Sequence, residues 1–559
     1  MSLALPLVRR WLALPRPVCR TESSMEWVPL SDGTRLATCV VRPTDPPSSS
    51  APTVLWRTAQ PLHTASERLL TRLVAGQGYA VVVQSCRGRG DSEGRFTPFA
   101  DEARDGAEVV DWVGRQPWFG DRLALVGFGY AGFAAWAACS LAKHPVDALV
   151  VGLATRDPHR WLYAGGALQL ELALWLGVGI GETAPLPGRR LDLARAVRFR
   201  PLREADRVAS RQTDWFRAWV DHPERDDFWE SLSPALPPNP PPTLLIAGCH
   251  HPALGAQLRD HADLCEAAGK SGAPNPELLL GPWGAAALSR RERSRRAARI
   301  SGALRPVLEF LDRRLRDAPH TGAPVRVYVR GADVWREAPS WPLPAAQQTA
   351  YHLRSDGGAN GLDGDGHLSA EPGPDDPPDR FVYDPADAVP SLGGAALVPP
   401  AGPVDQRAIE CRGDVLCYTS DPLAADLELA GPARVILFAA SDAPDTDFTA
   451  KLVEVAEDSA AFNLCDGIVR CRRSDEREWL EPGRIERLEI DLWATSCRIR
   501  AGRSLRLEIS SSSFPRFDRN SNTRQEPATA RETQIATARQ TVYHDRERAS
   551  RLVLQTLPF

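Results

Sequence analysis

Between residues 25 and about 151, short unbroken apolar runs alternate with segments whose apolar positions recur at helical spacing. The runs "LATCVVRP", "TVLWR", "YAVVVQS", "LALVGF" and "ALVVGL" are rich in Val and Leu and predict buried strands. "ASERLLTRLVAGQG" and "DEARDGAEVVDWVGRQP" predict helices between them, so a mostly parallel sheet covered on both faces is expected. From about Thr155 to Pro238 no strand pattern appears, and Trp-bearing helical segments such as "ALQLELALWLGVGIG" and "DWFRAWVDHP" predict a helical cap. "PALPPNPPP" is a stiff exit linker, after which "TLLIAG" and "PELLLGPW" resume the sheet and an Arg-rich helix closes it near Leu315. Beyond about Ala323 the period changes to two: "VRVYVRG", "ARVILFAA", "DFTAKLVEV", "IERLEIDLW" and "SLRLEISSSS" predict an antiparallel sandwich or jelly roll.

Composition adds bounds to this picture. The net charge is -4, and lysine occurs only at Lys143, Lys270 and Lys451, so the basic residues are almost all arginine. No basic run stands alone, and no nucleic-acid partner is expected. The apolar runs are too short for a transmembrane helix, and no membrane partner is expected. Eleven scattered cysteines without a C-x-x-C argue against a disulfide framework or a zinc site, and for a reducing compartment. Residues 1–24 carry four arginines and no acid before Glu22. They are expected to be a leader or disordered tail, giving a cytoplasmic protein, or a mitochondrial one if the leader is a transit peptide. Whether translation starts at Met1 or Met25 stays open.

The stretch "ALVGFGYAGFAAW" (124–136) is written as a strand, a glycine-rich turn and a small-residue helix, the pattern of a nucleophile elbow, G-x-S-x-G. Its middle position is Gly129, which has no side chain.

With "VPLSDGTRLAT", "GYAVVVQSCRGRGDSEGRFTPF", "DWVGRQPWFGDRLALVGFGYAG", "VDHPERDDFWESLSP", "YDPADAVPSLGG", "DTDFTAKLVEV", "LCDGIVR" and "SSSSFPRFDRNSNT" in order, the chain resembles the cocaine esterase-like (CocE/NonD) acyl esterases, relatives of the X-Pro dipeptidyl aminopeptidases. The resemblance implies an α/β-hydrolase domain with an inserted helical cap, plus a C-terminal antiparallel β jelly-roll domain. The expected division is 25–154 and 241–320 for the hydrolase domain, 155–240 for the cap and 323–559 for the β domain.

The resemblance also implies where a serine triad would stand. The nucleophile position is Gly129 in "GFGYAG", the acid position is His251 in "GCHH", and the base position is Ala285 in "GPWGA". The oxyanion-hole equivalents are Tyr130 and, in "LWRTAQP", Gln60. All three triad groups are absent, so no acyl-enzyme is expected at residue 129. The chain therefore reads as a catalytically degenerate hydrolase. It would act as a ligand-binding or scaffold protein, or reuse its pocket for non-hydrolytic chemistry with His250 or His251 as base. The other reading is an active acyl esterase, amidase or peptidase with a nucleophile not recognised in the sequence. Trp161, Cys249 and Trp283 are expected to line the pocket, with a small aromatic or acyl molecule as ligand. His63 is expected to be a loop residue and Cys249 a packed thiol rather than a nucleophile. No cofactor or metal is expected, and assembly as a homodimer stays open. "RGRGDSEGRF" is expected to be a structural turn, and "GVGIGE" lacks the context of a phosphate loop.

Overall fold

The computed structural model of the protein describes residues 16–44, 51–62, 65–179, 192–285, 303–319, 322–397, 399–472 and 479–558. The chain opens with β1 (Thr21–Pro29), β2 (Arg35–Pro43), β3 (Thr53–Thr58), helix α1 (Ala65–Ala75) and β4 (Ala80–Ser85). There follow α2 (Glu102–Val113), β5 (Leu123–Phe128), α3 (Tyr130–Leu141) and β6 (Ala148–Gly152). The next strands are β7 (Tyr163–Ala164) and β8 (Ala167–Leu168), then β9 (Thr243–His250), β10 (Glu277–Gly284), β11 (Val325–Val329) and β12 (Val334–Ala338).

Ten of these strands form one sheet in the order β1-β2-β4-β3-β5-β6-β9-β10-β11-β12. Every pairing from β4 through β3, β5, β6, β9 and β10 to β11 is parallel, and β1–β2 and β2–β4 at one end and β11–β12 at the other are antiparallel. The Val- and Leu-rich runs are buried along their length because helices cover both faces. One face packs against α2, α3 and the cap, the other against α1 and the helix Leu304–Leu315.

The expected tail to residue 24 is corrected. Thr21 to Ser24 form the first half of β1, in register with Val40 to Pro43 of β2.

The cap contains α4 (Pro158–Leu162), α5 (Leu170–Leu174), α6 (Leu193–Ala196), α7 (Ala205–Ala209), α8 (Asp214–Asp221) and α9 (Asp227–Leu232). It also contains the β7–β8 hairpin, which the absence of a strand pattern did not predict. Its turn is Gly165-Gly166, both at positive φ (55° and 83°), which a two-residue hairpin turn favours. A Cβ on Gly165 would lie 1.9 Å from the Ile468 carbonyl oxygen, so the turn meets the β domain backbone to backbone.

Helix α10 (Leu254–Ser271) follows β9, and α11 (Leu304–Leu315) precedes β11. "VRVYVRG" differs from its expected place. β11 hydrogen-bonds in parallel to β10 and closes a strand–helix–strand unit on the first sheet. Only from β13 (Gln347–Arg354) does the second sheet begin. Eleven strands lie in it, through β14 (His367–Ser369), β15 (Asp379–Tyr383), β16 (Leu416–Ser420), β17 (Leu427–Ser441), β18 (Asp447–Val455), β19 (Ala461–Arg470), β20 (Glu486–Ile499), β21 (Ser504–Ser510), β22 (Ala538–Tyr543) and β23 (Arg551–Leu557). Its pairings are antiparallel except for β14 with β16. None of the eleven cysteines, all within the described residues, is in a disulfide. Among the described residues no helix is long and apolar enough to cross a membrane.

Candidate active site at the elbow

Strand β5 ends at Phe128, and α3 starts at Tyr130 with Gly129 as its N-cap at φ 57°, ψ -130°. That backbone is one L side chains rarely adopt, and it is the strained turn of a nucleophile elbow. The Gly129 amide donates to the Gly152 carbonyl at 2.8 Å, and its own carbonyl accepts from the amides of Gly132 (2.8 Å) and Phe133 (3.2 Å). Tight packing surrounds the turn. A Cβ at Gly127 would lie 2.0 Å from the Ala131 oxygen, and one at Gly152 would strike the Phe128 ring at 2.1 Å. At Gly129, by contrast, a Cβ would meet nothing within 4 Å. The elbow is held on all sides but one, and the open side is where a residue-129 side chain would project.

The positive end of the α3 dipole lies at this turn. Tyr130 is buried; its hydroxyl donates to Glu102 Oε1 (3.0 Å) and accepts from the Phe99 amide (2.9 Å). The phenol is thus committed to the protein, and only the backbone of Tyr130 remains for an oxyanion role. Glu102 is paired with Arg57 Nη1 at 2.9 Å, and Arg57 Nε donates to Gln84 Oε1 at 2.7 Å. Both partners are buried, so this network carries a large desolvation cost offset by close pairing. Above it lies an aromatic cluster. Phe99 stands 5.5 Å from Tyr130, 4.8 Å from Phe133, 6.3 Å from Trp161 and 5.5 Å from Trp219, centroid to centroid. Neither the Arg57–Glu102–Tyr130 network nor this cluster was anticipated. The one signal available was Arg57 itself, a charged residue inside the apolar strand run "TVLWR".

The three positions expected for a triad leave the sheet at its carboxyl end, because β5, β9 and β10 run parallel; β9 and β10 end together, His250 opposite Gly284, whereas β5 ends at Phe128, level with Ile246 of β9. Gly129 follows β5, His251 follows β9 and Ala285 follows β10. With strands about 4.8 Å apart, β9 lies two places and β10 three places from β5. Ala285 is exposed. Gln60 is exposed after β3, its amide donating to Thr58 Oγ1 at 3.0 Å. His63 lies outside the described residues.

The two histidines expected as candidate bases lie in buried surroundings. His251 is buried, its Nδ1 accepts from the Ala253 amide at 3.1 Å, and burial pushes its pKa down to about 3. Burial, and after it the Arg330 charge, holds His250 well below its ordinary value, and its Nε2 is buried without a partner. A general base works best with a pKa near the operating pH, and both imidazoles are neutral and weakly basic. Among the described residues no group of three or more His, Cys, Asp or Glu could hold a metal ion.

Strand parity sorts the expected pocket residues. Leu245, Ala247 and Cys249 pack in the cluster on the cap face, as does Trp161, whose indole Nε1 is buried without a partner. Trp283 is corrected: it shares parity with Leu279 and packs with Val307, Phe310 and Leu311 of α11 on the opposite face. Trp335 lies 6.2 Å from it.

A Ser–His–Asp contact does exist, in the β domain. Ser355 Oγ donates to Asp379 Oδ2 at 2.7 Å, and His544 Nε2 meets both the serine oxygen (3.1 Å) and that same carboxylate oxygen (2.9 Å). A triad needs the serine and the carboxylate on opposite ring nitrogens. Here both meet Nε2, and His544 Nδ1 is buried without a partner. The Tyr418 hydroxyl and the Ala359 amide also donate to Asp379. The cluster is a structural clamp.

The family model of the X-Pro dipeptidyl-peptidase (S15 family) matches residues 32–284, and that of the X-Pro dipeptidyl-peptidase C-terminal non-catalytic domain matches 320–553. The cocaine esterase of Rhodococcus sp. (strain MB1 Bresler) is 34% identical over 570 aligned positions, covering 94% of this chain and 97% of the relative. Among solved structures, an aminopeptidase of a marine-sediment Thaumarchaeota archaeon superposes with a TM-score of 0.83 at 22% identity, over 97% of this chain and 98% of that one. An α-amino acid ester hydrolase gives 0.80 at 21% identity with the same coverage. These two likenesses concern the fold.

Proposed function

Since the chain belongs to the X-Pro dipeptidyl-peptidase (S15) and cocaine esterase family of α/β hydrolases, we propose that it receives acyl esters or acyl amides at the Gly129 elbow and handles them without an acyl-enzyme at residue 129. The observation that carries this is the elbow. The strained backbone, the dipole of α3 and the open space are retained, while residue 129 offers no atom to acylate. A Ser mechanism also needs a base in hydrogen-bond reach, and Ala285 supplies none. Phe99, Trp161 and Trp219 form a buried aromatic cluster beside Tyr130, an apolar setting compatible with an acyl or aryl group.

Two chemistries remain within this reading. The 34% identity with a cocaine esterase along nearly the whole chain favours retained hydrolysis, through a nucleophile other than residue 129. Gly129 and Ala285, with two neutral buried histidines, favour recognition without turnover. A titration with phenyl benzoate tests the proposal, following tryptophan fluorescence and phenol release together. Binding without a stoichiometric phenol burst is expected. Absence of binding would overturn it, and a stoichiometric burst would decide for hydrolysis through another nucleophile.

A further inference from the structure

The cap is seated on the β domain by its hairpin. The Arg470 amide at the end of β19 donates to the Gly165 carbonyl at 2.7 Å. The Leu168 amide donates to Asp518 Oδ1 at 2.7 Å, and the Asp518 amide donates back to the Leu168 carbonyl at 2.9 Å. The apolar part of the seat is small, Ala164 and Ala167 against Ile468 and Phe517. A hairpin of two-residue strands is not stable alone, so these bonds decide where it sits. Helix α4, whose Trp161 stands 6.3 Å from Phe99, runs directly into β7, so the seat also fixes the cap wall above the elbow.

Behind Asp518 lies more negative charge than its partners balance. Asp445, Asp447 and Asp518 are each at most 5% exposed. Arg470 joins Asp447 through two bonds of 2.9 Å and reaches Asp518 Oδ1 at 3.1 Å. Asn520 donates to Asp447 Oδ1 at 2.8 Å. Asp445 makes no ion pair among the described residues, and its Oδ1 is buried without a partner. The next cation, Arg472, is paired with Glu526 at 2.9 Å, and the Cys471 thiol beside Asp445 is held neutral by burial. Three carboxylates therefore share one guanidinium where water is excluded, an arrangement that costs free energy until one of them takes up a proton.

Asp445 has the least support. Burial pushes its carboxyl up to about 7 against the pull of Arg470, and the Asp447 charge adds to the rise. Asp447 is raised by burial as well. From the cap, Tyr163 and Arg200 face Asp518. Burial holds the Tyr163 phenol well above its ordinary value and arginine stays charged, so neither titrates near neutrality.

We propose that this acid cluster is a pH-operated latch on the cap: with a proton on Asp445 the hairpin is seated, and loss of that proton loosens it. Ionised Asp445 leaves three carboxylates around Arg470. Asp518 is the member at the junction, so its movement into water relieves the repulsion and breaks both Leu168 bonds. The folded carboxyl is raised, so the stability it supports is present below the ordinary carboxylate range and is lost as pH rises to about 7. The latch is independent of the chemistry performed at the elbow.

Hydrogen–deuterium exchange of the full-length protein tests it without substrate. Peptides spanning 163–171 are followed between pH 5 and pH 8, with the pH dependence of the intrinsic exchange rate divided out. Protection of this segment should fall about tenfold or more across that range, while peptides of β3 and β5 keep theirs. Asp445→Asn keeps the shape without the charge, and its protection should stay flat at the level the unaltered protein shows at pH 5. A flat profile in the unaltered protein, a comparison that needs no variant to fold, would overturn the proposal. So would an equal fall in β3 and β5. A fall of the same size in Asp445→Asn would overturn it too, and would assign the titration to another group, such as His159, which stacks on Tyr163 at 5.1 Å.

Discussion

Replacing Gly129 with serine puts a hydroxyl back at the elbow and separates two properties of that position. A Cβ there meets nothing within 4 Å, so no collision contributes. What remains is the backbone: φ 57°, ψ -130° costs a non-glycine residue about 1–3 kcal/mol. Gly129→Ser should therefore lower the unfolding free energy by about that amount, read by guanidinium denaturation at pH 7 against the unaltered protein. Gly127→Ser is the internal contrast. Its Cβ would sit 2.0 Å from the Ala131 oxygen, a backbone collision that neighbouring side chains cannot relieve. It should cost clearly more, enough to reduce soluble yield. The new hydroxyl at 129 should stay unreactive, because Ala285 offers no base and His251 is held near 3. Turnover of 4-nitrophenyl butyrate by Gly129→Ser should match background, and Gly129→Ser with His251→Asp and Ala285→His should exceed it. A Gly129→Ser protein as stable as the parent would refute the strained-elbow geometry. One that hydrolyses the ester rapidly would show that a base already stands beside residue 129.

Three further outcomes follow from the packing. Glu102→Ala strands the buried Arg57 charge and removes the acceptor of the Tyr130 hydroxyl, so it should cost about 3–5 kcal/mol by chemical denaturation; a loss under 1 kcal/mol would contradict the network. Burial alone would raise the Asp379 carboxyl, but hydrogen bonds from His544, Ala359, Tyr418 and Ser355 hold it below its ordinary value. Its contribution to stability is therefore present above the ordinary carboxylate range and lost as pH falls through the lowered value, so Asp379→Asn should flatten the decline in melting temperature between pH 6 and pH 3; an unchanged slope would count against the clamp. Gly165→Ala forces a Cβ towards the Ile468 carbonyl from a left-handed backbone and should speed proteolytic release of the cap at 20–37 °C; unchanged cleavage kinetics would show that the hairpin does not pin the cap to the β domain.

The alternation of apolar runs and helical periods made the first sheet legible, since strands buried on both faces leave an unbroken apolar record. The change to period two did the same for the second sheet. "VRVYVRG" misled because period two describes the strand and not its partner. The α11 helix before it was the signal for a crossover onto the first sheet. The β7–β8 hairpin was written in "YAGGAL", but two-residue strands are too short to show a period. At the site, the elbow was readable because glycine spacing encodes a turn. Trp283 was misplaced because "LLLGPW" is apolar throughout, so nothing in the run marks which face each residue takes. The weakness of His250 and His251 as bases, and the commitment of the Tyr130 phenol to Glu102, come from burial by distant segments, which no local pattern encodes.

The central claim is that this protein recognises acyl ligands at the Gly129 elbow without forming an acyl-enzyme. Intact-protein mass spectrometry after incubation with a fluorophosphonate that phosphonylates activated serines, with loss of fluoride, tests it most directly. The unaltered mass is predicted, together with a linear time course, free of any burst, for phenol release from phenyl acetate. One stoichiometric adduct per chain with a matching phenol burst would contradict the account, and the peptide carrying the adduct would identify the nucleophile.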